Sequence, residues 1–265
     1  MIDKLSGKTN SSVEKGKIAF VRQERFDDFI CIMSDDEKDW KSIIKGKDPS
    51  WSSDGKQLAF THKSGVQDVC IVDEDGSNMK ALTANESPYS HDAYPHWDPN
   101  GEYIVFCSER ATEHWQIFIM TASGSNQEQL TTSHFNHPDI FPQISPDSKK
   151  IVFERRGHQE AIHIMDIDGS NPTSICDGRQ PSWAPDGNDI LFVRRYKIYS
   201  RNLHDDVEKE IGIGKKPSYA CNGRKIVFCR GEYSNEQLWI MDSSGQNANP
   251  IIEDQGNRDP VWISI

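Results

Sequence analysis

Several common signatures are missing from this 265-residue chain. It has no Cys-x-x-Cys pair, no Gly-x-Ser-x-Gly, no Walker-type phosphate loop and no His-Glu-x-x-His. The first absence removes clustered thiolate metal sites and dithiol redox chemistry. The second removes the nucleophile elbow of the α/β-hydrolases, the third a phosphate cradle, and the fourth a helical zinc-protease site. The stretch His158–His163 (HQEAIH) sits on a turn into a strand, so its two histidines share no helical face. No apolar run approaches the roughly 18 residues of a membrane span. The first residues are polar, with Lys4, Lys8, Lys15 and Lys17, and lack the apolar core and small-residue cleavage site of a signal peptide. The expectation is a cytoplasmic chain, or a periplasmic one if an export signal has been removed.

Positive charge is also in deficit. There are 30 Lys and Arg against 41 Asp and Glu, for a formal net charge of −11. A duplex-binding protein carries a basic excess, so nucleic acid is not an expected partner. The cysteines number six. Cys31, Cys70, Cys107 and Cys229 fall in apolar strand-like runs, and Cys176 and Cys221 lie outside them; reduced thiols are expected. Two or three disulfides are the alternative.

What the sequence does have is a repeat. Copies begin at Pro49 (PSWSSDGKQLAF), Pro95 (PHWDPNGEYIVF), Pro142 (PQISPDSKKIVF), Pro181 (PSWAPDGNDILF) and Pro217 (PSYACNGRKIVF), and a truncated one at Pro260 (PVWISI). Each head is followed by a tail such as IHIMDIDGSNPTSI, from His163's run onward. An apolar alternation, an Asp-Gly turn and a second alternation make a hairpin. Each unit therefore predicts four short strands, A to D, a period that suits a propeller blade. The Asp-Gly-Ser-Asn turns place Gly76 and Gly169 fourth in the loop, where a calcium-binding EF-hand needs its glycine sixth, so they read as turns.

The two ends complete each other. The N-terminal segment supplies strands B, C and D but no A, and the last residues supply an A with nothing after it. The expectation is an all-β, six-bladed β-propeller with four antiparallel strands per blade. Residues 1–15 are a flexible tail, and residues 16–265 one propeller closed by the C-terminal strand A. A monomer is expected.

These residues resemble the TolB-like propeller repeat, a relative of the WD40-like repeat. The match runs over about residues 16–265 and includes Trp51, Trp97, Trp183 and Trp262, with Ile144 and Tyr219 as departures. The resemblance implies a central channel and a role in binding partner proteins, as in the Tol–Pal system. It also admits accessory domains of peptidases and, in related propellers, metal-dependent pectate-type lyases. The chain shows neither the N-terminal α/β domain nor the export signal of full-length TolB proteins, which sets the Tol–Pal role itself apart.

The D–A and B–C connections share one face, where irregular loops on a rigid scaffold tend to carry function. The long D–A loops at 84–94 and 132–141 bring together His91, Asp92, His134, His137 and Asp139, with His96 and Tyr94 beside them. His91, His96, His134 and His137 are candidate ligands for Mn²⁺ or Zn²⁺, which accept imidazole and carboxylate. The alternative is that these polar side chains only cap the blade tops. The B–C connections carry Arg22, Arg110, Arg155, Arg156, Arg194, Arg195 and Arg230 at similar positions. Such a ring could attract an anionic ligand or acidic peptide, with Tyr94, Asp92 and Asp139 completing the site. Alternatively each arginine pairs with a neighbouring carboxylate. The functional expectation is a non-catalytic scaffold engaging a protein segment or small anionic ligand at the channel mouth, with no cofactor. The alternative is a metal-dependent lyase or hydrolase acting on acidic oligosaccharides.

Overall fold

The computed structural model describes residues 16–34, 39–63, 65–83, 90–111, 114–132, 137–232, 235–252 and 254–264. The proposed N-terminal tail lies outside these residues. Six four-stranded antiparallel sheets form a six-bladed β-propeller. Blade 1 is composite: Asn257–Ser264 pairs with Gly16–Glu24, which is followed outward by Asp27–Ser34 and Trp40–Lys45. Lys17 sits opposite Ile263 and Ile18 opposite Trp262, so the closure rests on backbone hydrogen bonds between the two ends of the described chain.

The inner strands of the six blades are Asn257–Ser264, Lys47–Trp51, Asp92–Trp97, Asp139–Ile144, Arg179–Trp183 and Lys215–Tyr219. Each touches the next, and the last touches the first, around a central channel. The outer strands of blades 2, 3 and 6 are only two residues long: Lys80–Ala81, Glu128–Gln129 and Asn249–Pro250. Short, exposed, polar edges of this kind resist pairing with another chain.

The core lies between blades rather than within a single layer. Each of six apolar clusters joins one blade to its neighbour, as Ile30 and Ile32 of blade 1 meet Leu58 and Phe60 of blade 2. Both faces of every sheet are covered, which is why the B strands read as nearly continuous apolar runs rather than as alternation. The phenylalanine of each Ile-x-Phe element, or of its equivalent, is fully buried: Phe20, Phe60, Phe106, Phe153, Phe192 and Phe228. Each contributes roughly 1.5–3 kcal/mol by leaving water. None of the six cysteines forms a disulfide, and Cys31, Cys70, Cys107 and Cys229 are buried in these layers.

Glycine appears where the chain crosses over those rings. Gly46, Gly178 and Gly214 start the short connections into blades 2, 5 and 6. A Cβ there would lie 2.5–2.6 Å from the ring of Phe60, Phe192 or Phe228. At the same position, three residues before the repeated proline, the other blades carry Asn257, Asp92 and Asp139.

Candidate binding face at the channel mouth

The residue before each repeated proline lines one mouth of the channel. These residues are Asp48, Tyr94, Phe141, Gln180, Lys216 and Asp259, and all six have left-handed backbone, with φ between 49° and 54°. A residue before proline ordinarily adopts an extended conformation, so this geometry is imposed by its surroundings. A register shift accompanies it in all six inner strands. Side chains of the preceding blade hold the freed amides. Thr61 Oγ1 accepts from the Tyr94 amide at 3.2 Å, Glu154 Oε2 from that of Gln180 at 3.0 Å, and Gln180 Oε1 from that of Lys216 at 3.0 Å.

The side chains on this frame differ around the ring. Tyr94 and Phe141 meet edge to face with centroids 4.6 Å apart, and Trp115 packs on Tyr94 at 5.9 Å. Across from them Lys216 pairs with Asp259 and also stands 5.6 Å from the Phe141 ring centroid. Asp48 lies beside this pair, its Oδ2 accepting no hydrogen bond and 4.0 Å from Lys47 Nζ. Burial, and then the charge of Asp259, push the Asp48 carboxyl above its ordinary pKa. Burial opposes the charge on Lys216, but Asp259 and Asp48 outweigh it and keep the ammonium protonated. The mouth opens on a cavity of about 140 Å³ with one aromatic side and one charged side.

The arginines of the B–C connections have a recurring task. Arg110, Arg155, Arg194 and Arg230 each lie 5.0–5.4 Å over the buried phenylalanine of their own blade. Each also holds the chain that enters the inner strand. Arg155 binds Asp139 through two bonds of 2.7 and 2.8 Å, and Arg110 binds Asp92 at 2.6 Å. Arg194 and Arg230 reach the carbonyls of Asp177 and Ile213 at 3.0 and 3.1 Å, and Arg22 reaches Asn257 Oδ1 at 3.2 Å. In blade 2 His62 does the same to the Lys45 carbonyl, at 3.1 Å. Asp92 and Asp139 are fully buried beneath their arginines. Arg156 pairs with Glu154 at 2.7 Å. Arg195 is exposed at a hairpin tip and has no carboxylate partner among the described residues.

Among the described residues, the candidate histidines His91, His96 and His137 each have separate neighbours. His96 lines the channel, and its Nδ1 accepts from the Ile144 amide of the next blade at 3.3 Å. Ser50 and Gln143 make the equivalent links, to the amides of Trp97 and Trp183 at 2.9 and 2.6 Å. Burial lowers the His96 pKa to about 3 and keeps the ring neutral. His91 Nδ1 accepts from the Gln67 amide at 3.1 Å. His137 packs on Gly157 and lies 6.5 Å from the His158 ring. His134 lies outside the described residues. Among the described residues no three His, Cys, Asp or Glu side chains come together as a metal site would need.

Asp48, Gln180, Lys216 and Asp259 belong to neither the histidine cluster nor the arginine ring that the sequence suggests. Their signal was nevertheless present, since each immediately precedes a proline of the repeat.

The chain matches the family model described as the TolB beta propeller domain over residues 8–211. It is 26% identical over 199 residues to the "Uncharacterized peptidase YuxL" of Bacillus subtilis, a match covering 72% of this chain and 30% of that protein. It is 27% identical over 240 residues to the "Tol-Pal system protein TolB" of Francisella tularensis, covering 81% of this chain and 53% of that one. The structure of TolB from Acinetobacter baumannii superposes with a TM-score of 0.80 and 21% identity, over 93% of this chain and 66% of that chain. A manganese-bound oligogalacturonate lyase superposes with a TM-score of 0.60 and 11% identity, over 85% of this chain and 70% of that one. At these identities the two structural likenesses show the fold alone. The chain spans three tenths to about half the length of the two curated relatives. The expected cytoplasmic location finds no support among them. No helix among the described residues is long and apolar enough to cross a membrane.

Proposed function

The chain belongs to the TolB beta propeller domain family, and on that premise we propose that it is a binding scaffold that engages a segment of a partner protein at the channel mouth. One observation carries this reading. Six left-handed backbone positions, three of them held by hydrogen bonds from the preceding blade, present an aromatic pair on one side and a Lys–Asp group on the other around one cavity. A rigid frame loses little entropy on binding, and aromatic residues with partly desolvated charges are the usual anchors of protein interfaces. The names of the TolB relatives are consistent with a place in an assembly of proteins.

The test compares two surface variants. Tyr94→Ala/Phe141→Ala empties the aromatic side of the mouth, and Asp75→Ala/Asp168→Ala alters exposed turns on the opposite face. Tagged parent and variants are used to capture partners from cells of the source organism, identified by mass spectrometry. A partner lost by the mouth variant at least tenfold and kept by the turn variant supports the reading, a tenfold loss corresponding to about 1.4 kcal/mol. Partners that are kept by both variants, or lost only from the turn face, would sink it. The lyase alternative has its own test. A thermal shift with Mn²⁺ that disappears in His134→Ala/His137→Ala would favour the metal reading over the scaffold one.

A further inference from the structure

Two hairpins on the mouth face turn in only two residues. Arg25 and Phe26 connect the paired residues Glu24 and Asp27 in blade 1, and Arg195 and Tyr196 connect Arg194 and Lys197 in blade 5. Such turns need left-handed backbone and select Asn and Gly. Yet Arg195 has φ 51°, Tyr196 φ 64° and Arg25 φ 55°. On the opposite face the left-handed positions are mostly Gly or Asn, as at Gly76, Asn78, Gly169 and Asn171. Phe26 is 99% exposed and Tyr196 68% exposed, so burial does not account for these residues. Bulky side chains are kept on strained tips where the fold itself would do better without them.

The blade 5 tip borders a groove of about 890 Å³ that runs to Gln180 at the channel mouth. Four basic side chains, Arg179, Arg194, Arg195 and Lys215, face two acids, Glu160 and Asp177. The acids are already taken, Glu160 by Arg179 and Asp177 by Arg194 at 2.6 Å, while Lys215 pairs with Glu236 at 2.5 Å. Arg195 is left with no carboxylate partner among the described residues. The groove is therefore net cationic on a chain of formal charge −11. Lys215 lies 5.8 Å from the Tyr196 ring centroid, so the aromatic wall and the basic lining adjoin.

We infer that this groove receives an acidic, extended segment of the partner protein. This rests on the mouth-binding reading and adds the chemistry of what binds there. A carboxylate of the segment meets Arg195, whose planar guanidinium can give two parallel hydrogen bonds. An apolar side chain of the segment lies on Tyr196, and the rest of the chain runs towards Gln180 and the channel.

The probe is a short fluorescein-labelled peptide of alternating Glu and Leu, followed by fluorescence anisotropy, with a Lys–Leu peptide as its control. The parent binds the acidic peptide, more weakly as salt is raised, and does not bind the basic one. Arg195→Asn/Tyr196→Gly installs the residues that the turn selects. It should fold with its Tm raised by about 2–4 °C and bind the acidic peptide about tenfold or more weakly. Arg195→Glu should lose binding to a similar degree. A double variant that is more stable and binds as tightly as the parent overturns the inference. If the parent binds and only Phe141→Ala weakens it, the groove assignment falls while the mouth reading stands. If the parent does not bind the acidic peptide, the groove assignment falls, and the mouth reading is judged by its own partner capture.

Discussion

The two faces of the propeller are made from the same strands and use their turns differently. On the face of the C–D turns one hydrogen bond recurs with little change. Asn78 donates to Asp73 at 2.7 Å, Asn171 to Asp166 at 2.8 Å and Asn247 to Asp242 at 2.6 Å. Those asparagines, with further local donors, hold Asp73 and Asp166 below the usual carboxylate range. Sequence and geometry repeat together there, and the side chains are used up inside each loop. At the rim of the channel mouth, inside the recurring arginine clamps, only the backbone repeats. Six residues share one φ, and their side chains are two aspartates, a lysine, a glutamine and two aromatics. Repeated side chains mark what every blade needs in order to fold. Different side chains on a repeated backbone mark where this propeller departs from its own pattern, and binding is sought there.

The sharpest way to break this comparison is Gly245→Ala on the turn face. At φ 87° its Cβ would lie 2.2 Å from the Ile211 carbonyl oxygen of the neighbouring blade. We expect a loss of about 3–4 kcal/mol, seen as a lower urea midpoint, with the folded fraction binding the acidic peptide as the parent does. Reduced affinity in that fraction would mean the two faces are not independent.

Asp139→Ala tests the comparison from the mouth face. It leaves Arg155 without its two-bond partner beside a buried phenylalanine. Breaking a buried pair typically costs 3–5 kcal/mol; with Arg155 partly exposed we expect about 2–3 kcal/mol. The clamp also positions the strand that carries Phe141, so capture of the mouth partner should fall together with the urea midpoint. A variant with unchanged stability would show that the clamp does not support the frame.

The smallest effect concerns pH. The unfolded chain protonates His96 near pH 6.5, whereas burial lowers the folded value to about 3. Between those values the unfolded chain binds more protons. Stability is therefore complete above about pH 6.5 and is lost as the pH falls towards 3. By pH 5 this one group removes about 1–2 kcal/mol. His96→Gln keeps an acceptor for the Ile144 amide and should shrink the difference in Tm between pH 7 and pH 5. His163, also lowered by burial, to about 4, is the same in both proteins and cancels. An unchanged difference would mean that His96 is not held neutral in the folded chain.

Much of the architecture is legible in the sequence. The repeat from Pro49 to Pro260 predicted six blades, and the missing strand at the start and the extra one at the end predicted how the ring closes. The turns could be read because Asp, Asn and Gly act on their own backbone within a few residues. The site was less legible. Arg194 and Arg195 are neighbours in sequence, and both were assigned to one cationic ring. In the structure Arg194 lies over Phe192 and clamps Asp177, while Arg195 projects from a hairpin tip. Which of the two is occupied depends on the chain that enters the blade, and local sequence does not encode that contact. His96 likewise reads as a metal ligand by residue type, and its link to Ile144 is visible only once blades 3 and 4 are side by side.

The sequence by itself therefore determined the blade count, the strand periodicity, the turn chemistry and the ring closure. These follow from short-range rules: alternation, glycine at left-handed positions, and an apolar run that must be covered on both faces. Only the tertiary structure decided which charged groups are spent and which are available. That outcome depends on contacts between blades, which bring residues tens of positions apart within hydrogen-bonding distance, and an arginine's chemistry changes with the partner it finds there.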